Sequence, residues 1–386
     1  MNILYYCWDE YTTFDIIEQM NYLGHTLEIF RFPIKDKLHD TDFSATLSNK
    51  LNVNHYDCIF TFNYFPVISK IAQAHAIKYI SWIFDSPLFT LYSSTIYNSC
   101  NYVFCFDRQE ALRLQSYGAT QVFHMPLAVN THKGLQFNLT TTPDYTYDIT
   151  FLGNLYNDQY NFYDQIQTMP DYYRGFFDGI INAQMNIYGY DFASNIITEA
   201  FSPILKSFVQ FNLDDELFIT DTDFFIQMIQ KKTTVTERVA LLKLITDCGY
   251  PLTHFGSKSD VSLNNVDYKG YADYDKEMPG IFHNSKINLN ITLRCIQSGI
   301  PLRCLDIMNY GGFLLSNYQP ELAEYFEDGK DLVLYESYTD LIHKIDYYLN
   351  HDEEREEIAR NGQRKVQEHF SYPKMLQEIF RMAELN

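Results

Sequence analysis

The sequence predicts an α/β protein of two doubly wound domains, the second carrying a mostly helical insertion. Three observations point there. Short apolar runs alternate with segments of helical spacing over residues 1–130 and again from residue 148 onward, a rhythm that sets helices against parallel strands. A chain of 386 residues is too long to close around one core. Between the two runs, THKGLQFNLTTTPDYTY (131–147) is polar, Thr-rich and interrupted by Pro143, the composition of a linker.

The elements follow in order. NILYYCW is a short apolar strand, FDIIEQMNYLG has helical spacing and stops at Gly24, and HTLEIFRF is a second strand. DCIFTFN (57–63), IKYISWIFD (77–85), NYVFCFD (101–107) and TQVFHMPLA (120–128) are further strands; FPVISKIAQAHA and RQEALRLQSYG are the intervening helices, the latter closed by Gly118. Residues 1–130 form the first domain. DITFLGN (148–154) opens the second, and residues 157–235, aromatic and helix-spaced, form the insertion. TERVALLKLITDCGY is a helix, PLTHFGS a strand and glycine turn, VDYKGYAD a strand and turn, and MPGIFHNSKINLNIT a helix then a strand. GIPLRCLDIMNYGGFLLSN (299–317) gives a turn, a helix, a glycine pair and a strand. ELAEYF, KDLVLY and a charge-rich helix at 339–350 complete a second domain running from 148 to 365. The last segment, 366–386, contains an amphipathic helix, YPKMLQEIFRMAEL, expected to return to the first domain.

Composition narrows the function. A net charge of −20 and a pI near 4.8, with no Lys/Arg cluster, exclude nucleic acid and anionic lipid as expected partners. Seven scattered cysteines lack any C-x-x-C pair and fit reduced thiols. The acidic start MNILYYCWDEYTTF is no signal peptide, and no apolar run reaches membrane length. The expectation is a cytoplasmic protein with no integral membrane segment. Aromatics make up 17%, with 32 Tyr and 30 Phe but only 2 Trp; they serve packing, or offer platforms on which sugar rings stack.

In doubly wound sheets, ligands bind outside the carboxyl ends of the strands, so the cleft between the domains is the expected site. Four glycine turns of the second domain lie at strand ends: Gly153-Asn154, Gly256-Ser257, Gly270-Tyr271 and Gly311-Gly312. Backbone N–H groups at such turns suit a diphosphate. Arg303 and Asp306 share one helix face: the guanidinium fits a phosphate, and the carboxylate accepts from a ribose 2′- and 3′-OH pair. The alternative for the two is a surface ion pair. In the first domain Asp85 ends the strand of SWIFDSP; for an inverting transfer to a hydroxyl it is the candidate general base, with His124 as the alternative and His254 and His283 behind it. The Asp-x-Asp from Asp221 to Asp223 lies in the insertion, where aspartates cap helices, so no metal is expected.

Residues 287–372 resemble the C-terminal half of GT-B glycosyltransferases of the spore-maturation CgeB-like group. FNYFP (62–66), YISWIFDSPL (79–88), FCFDR (104–108) and HMPLAVN (124–130) resemble the domain of unknown function that precedes it there, and YDITFLGNLY (147–156) resembles the start of the second domain. The resemblance implies two Rossmann-like domains facing a cleft, with a nucleotide sugar, UDP-linked by base rate, as co-substrate on the second and a glycan or protein acceptor on the first, where Asn63, Tyr64 and Trp82 stand on the acceptor side. It implies no cofactor. The sugar is placed near Gln297, Ser298 and Gly299, and Asn290 and Thr292 of INLNIT join the donor side. Two departures stand out. Asp306 occupies a position where related transferases carry a glutamate, and the arginine that often follows F-x-G-N is replaced by LYNDQYN. A non-catalytic partner-binding relative and a GT-B nucleotide-sugar epimerase are the alternatives.

Overall fold

Apolar runs too short for a buried helix become strands when helices cover both faces. The structure, a computed structural model, describes residues 1–137, 143–157, 161–257, 263 and 265–385. Its backbone contacts divide the chain into two units.

Unit 1 comprises Met1–Asn130, Leu213–Ile219 and the chain from Phe370 onward. Its sheet holds β1 (Asn2–Tyr6), β2 (Thr26–Phe30), β3 (Cys58–Phe62), β4 (Lys78–Ile83), β5 (Asn101–Cys105) and β6 (Val122–His124). All pairs are parallel, in the order β2-β1-β3-β4-β5-β6. β3 and β5 are buried at every residue, as strands covered on both faces must be. The chain leaves β1 for β2 on one side and returns to β3 on the other, so the switch point of this sheet lies between β1 and β3.

Unit 2 comprises Thr131–Asn212 and Thr220–His369. Its parallel sheet holds β7 (Tyr147–Leu152), β8 (Leu252–Phe255), β9 (Val266–Gly270), β10 (Ser285–Asn290), β11 (Leu314–Asn317) and β12 (Val333–Tyr335), ordered β12-β11-β10-β7-β8-β9. Here the switch point lies between β7 and β10.

Four features differ from the sequence reading. The insertion does not end in a separate helix near 235: one helix of 27 residues, Asp221–Asp247, runs through that boundary. Thr220 caps it, accepting from the Asp223 N–H while Asp223 accepts from the Thr220 N–H, which gives the Asp-x-Asp pair its local role. Leu213–Ile219, within the expected insertion, belongs instead to unit 1: Phe218 donates its N–H to Tyr92 O at 2.8 Å, and Leu217 bridges Ser93. The expected linker starts as a helical turn, Thr131–Gly134, pressed onto Asn309 of unit 2; residues 138–142 of that stretch lie outside the described ones. A helix at Thr41–Val53 was not expected; only Phe43 and Leu47 on it are buried, so its apolar signal is faint.

The C-terminal helix, Tyr372–Met382, buries Leu376, Ile379 and Phe380 within unit 1. The Phe380 ring meets His25, and Lys78 Nζ donates to Ala383 O at 2.7 Å. Each such apolar side chain contributes about 1.5–3 kcal/mol of burial. Among the described residues, no helix is long and apolar enough to cross a membrane.

Candidate functional site

At the switch point of unit 2, the backbone after β7 turns at Gly153 and Asn154. A Cβ on Gly256 would stand 2.4 Å from Gly153 O, so the turn after β8 nests directly against the turn after β7. Asn154 Oδ1 accepts from Ser257 N at 2.9 Å and locks the two together. His254, fully buried, lies 2.7 Å through Nε2 from Gly153 O. A carbonyl only accepts, so Nε2 carries the proton. Burial, reinforced by the charges of Arg238 and Arg303, holds its pKa below the usual histidine value. It is therefore a neutral strut.

Two guanidiniums meet this turn. Arg238, from the 27-residue helix, is 2% exposed and spans the switch point: Nη1 donates to Asn154 O and Nε, at 3.2 Å, to Ile291 O just past β10. It lies 5.4 Å from the ring centres of both Phe151 and Tyr156. Burial first, then the neighbouring Arg303, pulls its pKa down to about 10, which leaves it a cation at neutral pH. Arg303 is half-buried, and a Cβ on Gly153 would stand 2.9 Å from its Nη2. Only glycine lets the backbone pass that close. Neither arginine pairs with a carboxylate among the described residues. In a chain of net charge −20, two unneutralised guanidiniums at one strand-end crevice make a local anion site.

Sequence reasoning missed Arg238. Its signal was there: Glu237-Arg238 interrupts the buried face of Val235, Leu241 and Leu242. Glu237 is claimed by Arg294, which grips it through Nε and Nη2 at 2.7 Å each and donates to the carbonyls of Met185 and Ile187. Arg238 is left to the turn.

Arg303 and Asp306 share the helix Leu302–Asn309, and the Asp306 charge favours the guanidinium, but Asp306 is buried and Arg303 half-buried, so they are not a pair on the surface. Asp306 is 3% exposed and accepts from Tyr274 OH at 3.3 Å.

Several donor-side candidates take structural roles. Gly312 is packed shut: a Cβ would lie 2.7 Å from both Asn288 Nδ2 and Phe282 O, and Gly311 carries φ +72° in the same corner. That pair turns helix into strand and presents no surface to a ligand. Asn290, fully buried, donates to Thr292 Oγ1 and Ser316 Oγ, while Thr292 N donates to Asn317 Oδ1. Ser298 Oγ donates to the buried Glu321 at 2.7 Å, and Gly299 is buried beside it. Gln297 is half-buried on a cavity of about 20 Å³ shared with Thr292 and Asn317, room for about one water. Gly270 closes β9 at φ +79°, and Tyr271 is exposed. His283 Nδ1 is bonded to Tyr310 O.

Unit 1 opens a cavity of about 440 Å³ at its own switch point, lined by residues that follow β1, β2, β3 and β4. Asn63 organises it from a left-handed backbone, φ +61°, which Asn tolerates. Its Oδ1 accepts from Phe84 N and Asp85 N at 3.0 and 3.1 Å, and its Nδ2 donates to Asp85 Oδ2 at 2.8 Å. The exposed Asp85 is thus fixed by one oxygen, with Oδ1 unpartnered among the described residues. Two acceptor-side expectations are corrected. Tyr64 is fully buried against Thr95 and Tyr79, and Trp82, on β4, is fully buried between Phe62 and Tyr372; both side chains are enclosed in the core rather than set at the strand ends. His124 ends β6, two strands beyond β4, and does not line the cavity. The cavity walls Trp8, Arg31 and Phe32 were not singled out from sequence.

Residues 236–381 match the family model described as glycosyl transferase-like. Comparison with curated proteins finds no match. Among solved structures, Alr3699/HepE of Anabaena, in complex with UDP and glucose, is 10% identical at a TM-score of 0.57, covering 100% of this chain and 99% of that one. Sucrose-phosphate synthase from Thermosynechococcus elongatus gives 10% and 0.57, over 100% and 98%. A glycosyltransferase from Rickettsia africae gives 10% and 0.54, over 99% and 97%. At these identities the likeness establishes the fold, which is GT-B: two six-stranded parallel α/β units.

Proposed function

We propose that this protein is a GT-B glycosyltransferase that moves a sugar from a UDP-sugar to a hydroxyl of a glycan or protein acceptor, within the CgeB-like group. The observation that carries the reading is the pair of unneutralised guanidiniums, Arg238 and Arg303, at the switch point of unit 2. The diphosphate lies against Arg303 and the nested turns Gly153-Asn154 and Gly256-Ser257. Arg238, already bonded to two carbonyls, contributes charge and holds the turn. Asp306 receives the ribose hydroxyls. The glycosyl transferase-like match and HepE complexes with UDP and with UDP-glucose support this assignment. Seven cysteines with no disulfide among the described residues, five of them buried, support a reducing, cytoplasmic setting.

In unit 1, Asp85 Oδ1 takes the proton of the acceptor hydroxyl. The acceptor oxygen bonds to the anomeric carbon, the bond from that carbon to the diphosphate oxygen breaks, and the nucleoside diphosphate leaves. The guanidiniums stabilise its departing charge, so the reaction needs no divalent ion and survives chelation by EDTA.

Calorimetric titration with UDP, GDP, ADP, CMP and dTDP tests the donor site. The expected result is selective UDP binding, weakened about 10- to 100-fold by Arg303→Ala, the value of one or two charge-assisted hydrogen bonds, and weakened also by Asp306→Ala. Binding of no nucleotide would overturn the reading.

A further inference from the structure

The walls of the unit 1 cavity specify more than a hydroxyl. Trp8 is half-buried on it, and its indole N–H is committed to Phe62 O at 3.0 Å. What the cavity receives from Trp8 is therefore a ring surface held in place. Phe32 stands parallel to Phe30 at 6.4 Å, and Phe65 meets Tyr6 edge-on at 5.3 Å, so these rings too are braced from behind.

Charge decides between ligand classes. The lining carries Asp9, Arg31, Lys37 and Asp85, two of each sign, and no net charge in a chain of −20. Arg31 leans 3.4 Å from Asp9, and Lys37 lies 5.8 Å from the centre of the Phe65 ring. A phosphorylated or carboxylated acceptor calls for a surplus of positive charge, and none is present. A lipid chain calls for an unbroken apolar groove, and four charged groups interrupt it. Aromatic faces beside a fixed carboxylate and amide match the two surfaces of a sugar: C–H bonds on one, hydroxyls on the rim. The volume lies within the range of about 300–1,000 Å³ typical of small-molecule sites.

We propose that the unit 1 cavity binds an uncharged saccharide end whose ring packs on Trp8 and one of whose hydroxyls donates to Asp85 Oδ1. Its service as acceptor site rests on the transferase reading above; the binding of sugar does not.

The test begins with the whole protein on a broad glycan array and continues with titration of the best uncharged hit, followed by tryptophan fluorescence. The chain has two tryptophans, and Trp82 is sealed in the core, so a ligand-dependent change reports Trp8. The expected result is binding of uncharged saccharide ends, a change in emission that disappears in Trp8→Phe, and an affinity at least tenfold weaker in Asp85→Ala. Protease resistance of residues 1–130 in each variant checks that unit 1 is folded. An array that binds nothing overturns the proposal. So does preference for sialylated or phosphorylated ends, or a hit whose affinity is unchanged in Asp85→Ala. Saccharide binding without UDP binding would retain this site and remove the transferase reading; the reverse would remove this site alone.

Discussion

At the scale of single residues, charge placement matters more than charge number. Arg238 bonds two backbone carbonyls on neighbouring strand ends, and only a planar fork of donors reaches both. Arg238→Lys should therefore fail as a conservative change: it keeps the charge, strands one carbonyl, and should lose about 1–3 kcal/mol in urea unfolding together with UDP affinity. His254 gives a pH dependence. Its folded pKa lies below the unfolded value near 6.5, so the unfolded state binds the proton more readily. The stability it contributes is complete above that value and is lost as pH falls below it. His254→Gln retains a donor to Gly153 O without titrating. The fall in melting temperature between pH 7 and pH 5 should be smaller in this variant than in the parent.

The scale of elements shows what the sequence conveys and where it stops. Strands such as β3, β5, β7 and β10 were visible because buried parallel strands are continuous apolar runs, whereas the edge strands β2 and β9 are largely solvent-facing. β6 is the exception: the run TQVFHMPLA yields three strand residues, since Pro126 offers no N–H to a ladder. The 27-residue helix was split in two because Thr and Lys dilute its apolar stripe over several turns. In the site, Asp85 and Arg303 were legible from their places at strand and helix ends. Arg238 was not, because its partner lies 84 positions away in sequence and meets it only through the sheet. The glycine pair was ambiguous for a related reason: a ligand and a packed neighbour both exclude a Cβ. Two glycines separate these effects. Gly312→Ala should destabilise by about 1–3 kcal/mol, because the contacting atoms include backbone. Gly280→Ala, in a helix with open space beside it, should stabilise by about 0.5–1 kcal/mol. Urea midpoints distinguish the two.

For the whole molecule, the organisation of each unit is set by distant stretches of chain. Removing residues 370–386 withdraws Leu376, Ile379 and Phe380 from unit 1, a loss of about 5–9 kcal/mol of burial. That is comparable with the entire stability of a domain, about 5–15 kcal/mol. The truncated chain should show protease cuts throughout residues 1–130 while unit 2 stays protected and still binds UDP.

The same arrangement has a consequence during synthesis. The strands of unit 1 have all been synthesised once residue 130 has been added, but the helix that covers them waits for residue 370 and beyond. At about 5–20 residues per second the interval is roughly 12–50 s. For that time the half begun first stands uncovered, and chaperones that bind nascent chains have their longest opportunity on a surface the finished protein never shows.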